Sequence, residues 1–149
     1  MNSSPLPGML CNYDLFQKSL MMIKEAVQGE RNDELFYDYL ISVAPNEEAK
    51  NIIESIRNDE RRHNQIFRMI YKNFTGENIQ SVDEPFQKPS SYLDGLKKAL
   101  KGELSAVVKY RQIKEGLPLG CYQDQVFNIL TDELRHASFY NYLITMDKC

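Results

Sequence analysis

The segments IRNDERRH, residues 56–63, and ILTDELRH, residues 129–136, decide how this chain reads. In the first, Ala49, Ile53, Ile56, Glu60, His63, Phe67 and Ile70 recur at alternating steps of three and four. That spacing keeps side chains on one face of a helix, so a glutamate and a histidine interrupt an otherwise apolar stripe. An unpaired buried charge costs several kcal/mol, about the whole stability of a small domain, so the interruption demands a compensating partner.

A shift of 73 positions lays the second segment on the first without a gap, matching Ile, Asp, Glu, Arg and His. The same shift superposes AVQGERNDELFY (26–37) on ALKGELSAVVKY (99–110), pairing Glu30 with Glu103 and Tyr37 with Tyr110. His63 and His136, the only two histidines, fall at equivalent places. The chain therefore reads as two copies of one helical hairpin.

Helix punctuation agrees. The first long helix is expected over about Asp14 to Ala44, ending before Pro45 and preceded by a tail over 1–13. The second starts behind Asn46, an N-cap followed by Glu47 and Glu48, and ends near Gly76, closing a hairpin over 14–76. A polar, Pro-containing crossover, 77–90, leads to a third helix behind Ser91, with Asp94 three residues on, which fades at GLPLG. The fourth runs from Tyr122 to about Met146, completing a second hairpin over 91–147. Two hairpins joined by one long crossover form an all-α, ferritin-like antiparallel four-helix bundle in a single domain over 1–149.

In such a bundle Glu30 and Glu60 each lie roughly 20 Å from their hairpin turn at 1.5 Å per residue, and Glu103 and Glu133 flank GLPLG in the same way. Each sits on its helix's apolar stripe, so the packing gathers four carboxylates and two imidazoles at mid-height. Four buried carboxylates cannot all stay ionised unless positive charge lies among them. Two divalent metals balance them, with the imidazoles as neutral ligands. Oxygen-rich ligation with one imidazole per metal favours iron or manganese over zinc. A set of hydrogen-bonded core polar groups is the bland alternative to a duplicated Glu-x-x-His pair with matched glutamates.

Composition excludes other classes. The 149 residues are 42% hydrophobic and 26% charged with a net charge of -3, which gives no basic footprint for nucleic acid; KKALK (97–101) reads as a wet helix face. No apolar run approaches the roughly 18 residues of a membrane span, and MNSSPLPGMLCNYD lacks the basic start and apolar core of a signal peptide. A cytoplasmic protein is expected. Cys11, Cys121 and Cys149 never form a CxxC pair, which excludes a four-thiolate zinc or iron centre within the chain and leaves free thiols.

With GE, DERRH, GE and DELRH spread over nearly its whole length, the chain resembles the rubrerythrin/ferritin-like di-iron carboxylate family. The resemblance implies two iron ions per chain, manganese being the alternative. Glu60 and Glu133 would bridge them, Glu30 with His63 would complete one, and Glu103 with His136 the other. Asp59, Asp132, Arg62 and Arg135 match the family's DExRH pattern, in which an acid orients the ligating imidazole from behind. Rubrerythrins carry a further glutamate where this chain has Ala106, and usually a four-cysteine rubredoxin domain, which these 149 residues with three scattered cysteines do not supply, so an external electron donor is expected. Arg61 replaces the haem methionine of bacterioferritins, so no haem is expected.

Tyr37 and Tyr110, about 10 Å beyond the terminal glutamates, are expected either to hydrogen-bond or carry electrons near the metals, or to serve as ordinary core aromatics. Asp33 and Glu34 lean toward the same stripe as an additional ligand or a salt-bridged edge. The expected function is a redox enzyme reducing peroxide or dioxygen in oxidative stress; the alternative is a ferroxidase passing Fe(II) to a store, and the weakest reading is a module whose metals only staple the bundle. A homodimer or larger homo-oligomer is implied by the resemblance.

Overall fold

The computed structural model describes residues 7–149, with side chains from Tyr13 onward. Cys11 falls outside the residues whose side chains are described, whereas Cys121 and Cys149 are free and exposed. Five helices, α1 (Pro7–Gln28), α2 (Glu30–Val43), α3 (Glu47–Thr75), α4 (Tyr92–Gly116) and α5 (Cys121–Asp147), form a ferritin-like helical bundle with α1 and α2 as consecutive parts of its first arm.

The local signals act as their chemistry requires. Asn46 Oδ1 accepts the Ala49 N–H at 2.9 Å, and Ser91 Oγ accepts that of Asp94 at 3.1 Å, each satisfying an N–H that the helix start leaves unpaired. Gly76 closes α3 in the left-handed region, φ 75°, its N–H on the Lys72 carbonyl at 2.8 Å. Where α1 crosses α4, any Cβ on Gly116 would run into Ser19 Oγ and the Leu15 carbonyl. The buried Ser19 hydroxyl uses that closeness to donate to the Ile113 carbonyl at 2.9 Å.

The first arm departs from the expected single helix. It begins at Pro7, within the segment read as a tail, and breaks at Gly29, whose φ and ψ are -84° and 3°. The crossover docks at the break: the Val82 N–H takes the Gln28 carbonyl at 3.2 Å, occupying an acceptor that a continuous helix would use internally. Arg31 pairs with Asp83 beside it.

Two apolar cores lie along the bundle axis. One includes Ile23, Val27, Phe67, Ile70, Ile113 and Ile129; the other includes Leu40, Ile53, Ile56, Leu96, Tyr140 and Leu143. Between Ile56 and Phe67 on α3, and between Ile129 and Tyr140 on α5, the stripe turns polar. That layer holds the candidate site.

Candidate metal centre

Because α3 and α5 each carry glutamate and histidine three residues apart, both side chains of a helix face the same way, and the hairpins bring the two helices together. His63, Glu103, Glu133 and His136 are buried, and Glu60 nearly so. Glu60, Glu103, Glu133 and His136 each offer a ligand atom within 4.8 Å of the others.

Each central carboxylate reaches both imidazoles. Glu60 Oε1 lies 3.3 Å from His63 Nδ1 and 3.2 Å from His136 Nδ1; Glu133 Oε1 lies 3.0 and 3.9 Å from the same atoms. Glu103 Oε2 approaches His136 Nδ1 alone, at 3.6 Å. All four atoms, Glu60 Oε1, Glu133 Oε1, His63 Nδ1 and His136 Nδ1, are buried without a hydrogen-bond partner. Buried polar atoms are rarely left so, and four orphans converging on one point fit a shared cation.

The other face of each imidazole is held from the opposite hairpin. His63 Nε2 lies 2.9 Å from Asp132 Oδ2, and His136 Nε2 lies 2.9 Å from Asp59 Oδ2. An Nε2–H donated to the aspartate leaves the Nδ1 lone pair aimed at the cluster, the tautomer a ligand needs. Arg62 donates to Asp59 Oδ1 at 2.7 Å, and Arg135 donates to Asp59 Oδ2 and reaches Asp132 at 3.8 Å. The imidazole rings stack with centroids 5.9 Å apart.

Electrostatics divides the acids instead of raising them all. Burial, with Glu60 and Glu103 close by, pushes Glu133 up to about 9. Burial would raise Glu60 as well, but the two imidazoles overcome it and hold that carboxyl down at about 2. Burial opposes charge on the imidazoles too, yet Glu133 and Glu60 raise His63 to about 10, while Glu103 and Glu60 raise His136 to about 11. Without metal, the site answers its crowded negative charge largely by protonating imidazole.

The structure does not bring Glu30 into the cluster that the sequence spacing expected it to join. Beyond the Gly29 break its Oε2 accepts from Arg68 Nη2 at 2.7 Å and Nε at 3.2 Å, and Arg68 Nη1 donates to the Ile79 carbonyl at 2.8 Å. The crossover and this guanidinium hold the carboxylate aside. Glu34 is a salt-bridged edge, bound through both oxygens by Arg61 at 2.7 Å.

A cleft of about 310 Å³ opens between α2 and α4, with Glu60, Glu103 and Glu133 in its wall beside Asp33, Tyr37 and Tyr110. Asp33 is exposed at its mouth, yet the protein around its carboxyl, and then Glu60, raise it to about 6. Burial keeps the Tyr37 and Tyr110 hydroxyls protonated, raising both well above the usual phenol value. Tyr140 lies fully buried on α5, in the apolar core on one side of the site. Its hydroxyl is buried without a partner, and the repeat offers a signal for it, since Phe67 is the residue it replaces. Arg68, off the stripe of α3, carries no comparable signal.

A helical bundle with a carboxylate and imidazole cluster at mid-height is ferritin-like in architecture, and the cluster is a candidate metal site. Residues 22–93, the first hairpin and crossover, match the rubrerythrin family, so the resemblance carried by the motifs is shown over that part of the chain. The chain is also 28% identical over 122 residues to the uncharacterized protein YhjR of Bacillus subtilis (strain 168), covering 82% of this chain and 83% of that one. No solved structure matches it significantly. Among the described residues no helix is long and apolar enough to cross a membrane.

Proposed function

We propose that the protein is a cytoplasmic di-iron carboxylate oxidoreductase that reduces peroxide or dioxygen with electrons from an external donor. The observation that carries this reading is the convergence of four buried, unpartnered ligand atoms from two hairpins. Glu60 and Glu133, each within reach of both imidazoles, would be shared between two metals. Glu103 with His136 would hold one metal, and His63 with a first-hairpin carboxylate would hold the other. When bound, a diferrous pair supplies two electrons together to one oxidant, avoiding one-electron products.

The chain's own contribution is positioning and proton control. Asp59 and Asp132 fix the imidazole tautomer across the hairpins, and Tyr37 and Tyr110 present protonated hydroxyls along the cleft through which a small oxidant reaches the centre. Anaerobic Fe(II) loading followed by metal counting, then mixing with peroxide or dioxygen, tests the reading. About two metals per chain and rapid catalytic turnover with a reductant are expected. A well-folded sample that binds one metal or none overturns it. Uptake of iron far beyond two per chain, consumed instead of a donor, supports the ferroxidase reading. Assembly into a homodimer or larger homo-oligomer belongs to the same proposal and is read by light scattering.

A further inference from the structure

We infer that Asp33, and not Glu30, supplies the first-hairpin carboxylate of the metal centre, while Glu30 serves as the fixed structural partner of Arg68. The inference rests on the di-metal reading above and concerns which residue completes it.

Charge gives the first argument. Glu60, Glu103 and Glu133 bring three negative charges to a site that would hold two divalent ions, so one further carboxylate restores balance. Glu30 cannot supply that charge freely, because Arg68 already neutralises it through two nitrogens. Arg68 is in turn tied to the Ile79 carbonyl, and the crossover to Gln28 and Arg31, so moving Glu30 inward would strand a guanidinium and loosen the crossover.

Position gives the second. Asp33 shares the cleft with Glu60, Glu103 and Glu133, and among the described residues it makes no ion pair. Its side chain leans back along α2, so that Oδ2 lies 4.0 Å from where a Cβ on Gly29 would stand. It thus reaches toward the level of the cluster over a residue with no side chain to obstruct it. The repeat shows why there is room: the equivalent of Asp33 is Ala106, which lines the same cleft with Ala99 and Gly102. The second hairpin leaves space where the first places an acid. The four orphaned atoms, Glu60 Oε1, His63 Nδ1, Glu133 Oε1 and His136 Nδ1, mark the space that the metals would fill.

The test uses the full chain under anaerobic conditions, titrated with Fe(II) and, for its visible absorption, with Co(II). Asp33→Asn is expected to keep the metal-free melting temperature but to weaken one of two metals at least tenfold, with Asp33→Glu restoring it. Glu30→Gln and Arg68→Met are expected to retain two metals while lowering the melting temperature of both metal-free and loaded forms. Two metals of wild-type affinity in Asp33→Asn overturn the inference, as does loss of one metal in a folded Arg68→Met or Glu30→Gln protein. Failure of the wild type to bind two metals removes the di-metal reading itself, and is distinguished by being seen before any variant is made.

Discussion

The two hairpins carry the same motif at the same spacing, yet Gly29 breaks its helix and Gly102, its repeat equivalent, does not. Both are glycines followed by glutamate. What differs is the crossover, which docks on Gln28, Arg31 and Arg68 and, among the described residues, has no counterpart along α4. On the second hairpin, therefore, the helix delivers Glu103 to the cluster, while on the first the equivalent Glu30 goes to a guanidinium. A duplicated sequence has produced an asymmetric site, because each copy folds against different neighbours.

The largest expected effect comes from the acids that the hairpins share. Glu133→Ala or Glu60→Ala should disturb both metals, whereas Glu103→Ala should chiefly weaken one, as metal counting and calorimetric titration would show. Equal, mild losses from all three would refute the division into bridging and terminal ligands. Next are the crossed aspartates. Asp132→Asn should weaken the metal beside His63, and Asp59→Asn the one beside His136, each by about 10–100-fold. A loss confined to the metal on the mutated residue's own hairpin would show that the crossed pairing does not govern binding.

Smaller, but specific in sign, is the response to pH. In the metal-free protein His63 and His136 bind protons with values raised from 6.5 to about 10 and about 11, and Glu133 with one raised from 4.5 to about 9. The folded chain thus holds more protons than the unfolded one, so the stabilisation is complete below the unfolded values and is lost as pH rises through the folded ones. Glu60, depressed to about 2, acts in the opposite direction and only in acid. Melting of chelated protein should fall steadily between about pH 6 and pH 10, while the metal-loaded form should not follow. Parallel curves for the two forms would show that the imidazoles and carboxylates are not coupled as described.

The smallest effect addresses the break directly. Gly102→Ala, in an exposed helix interior, should stabilise by about 0.5–1 kcal/mol. Gly29→Ala should gain less, because alanine favours the straight helix that the bond between Val82 and Gln28 interrupts. Equal gains in denaturant titrations would mean that the crossover does not hold the break open.

Much of this was legible in the residues. The caps at Asn46 and Ser91, the stop at Gly76 and the Glu-x-x-His pairs depend on local chemistry, and the structure places each where its spacing requires. Glu60, His63, Glu103, Glu133 and His136 meet because helical periodicity and hairpin length are set over short distances. The break at Gly29 could not be read, since Gly102 carries the same local signal.

By itself, then, the sequence determined an all-helical bundle of two related hairpins with acids and imidazoles in one buried layer, because periodicity and repetition act within each segment. Only the tertiary structure decided that Asp59 and Asp132 hold the opposite hairpin's imidazoles, that Arg68 retains Glu30, and that Asp33 borders the cleft. Those pairings depend on which distant elements pack together, and a crossover that touches one copy alone makes identical motifs unequal.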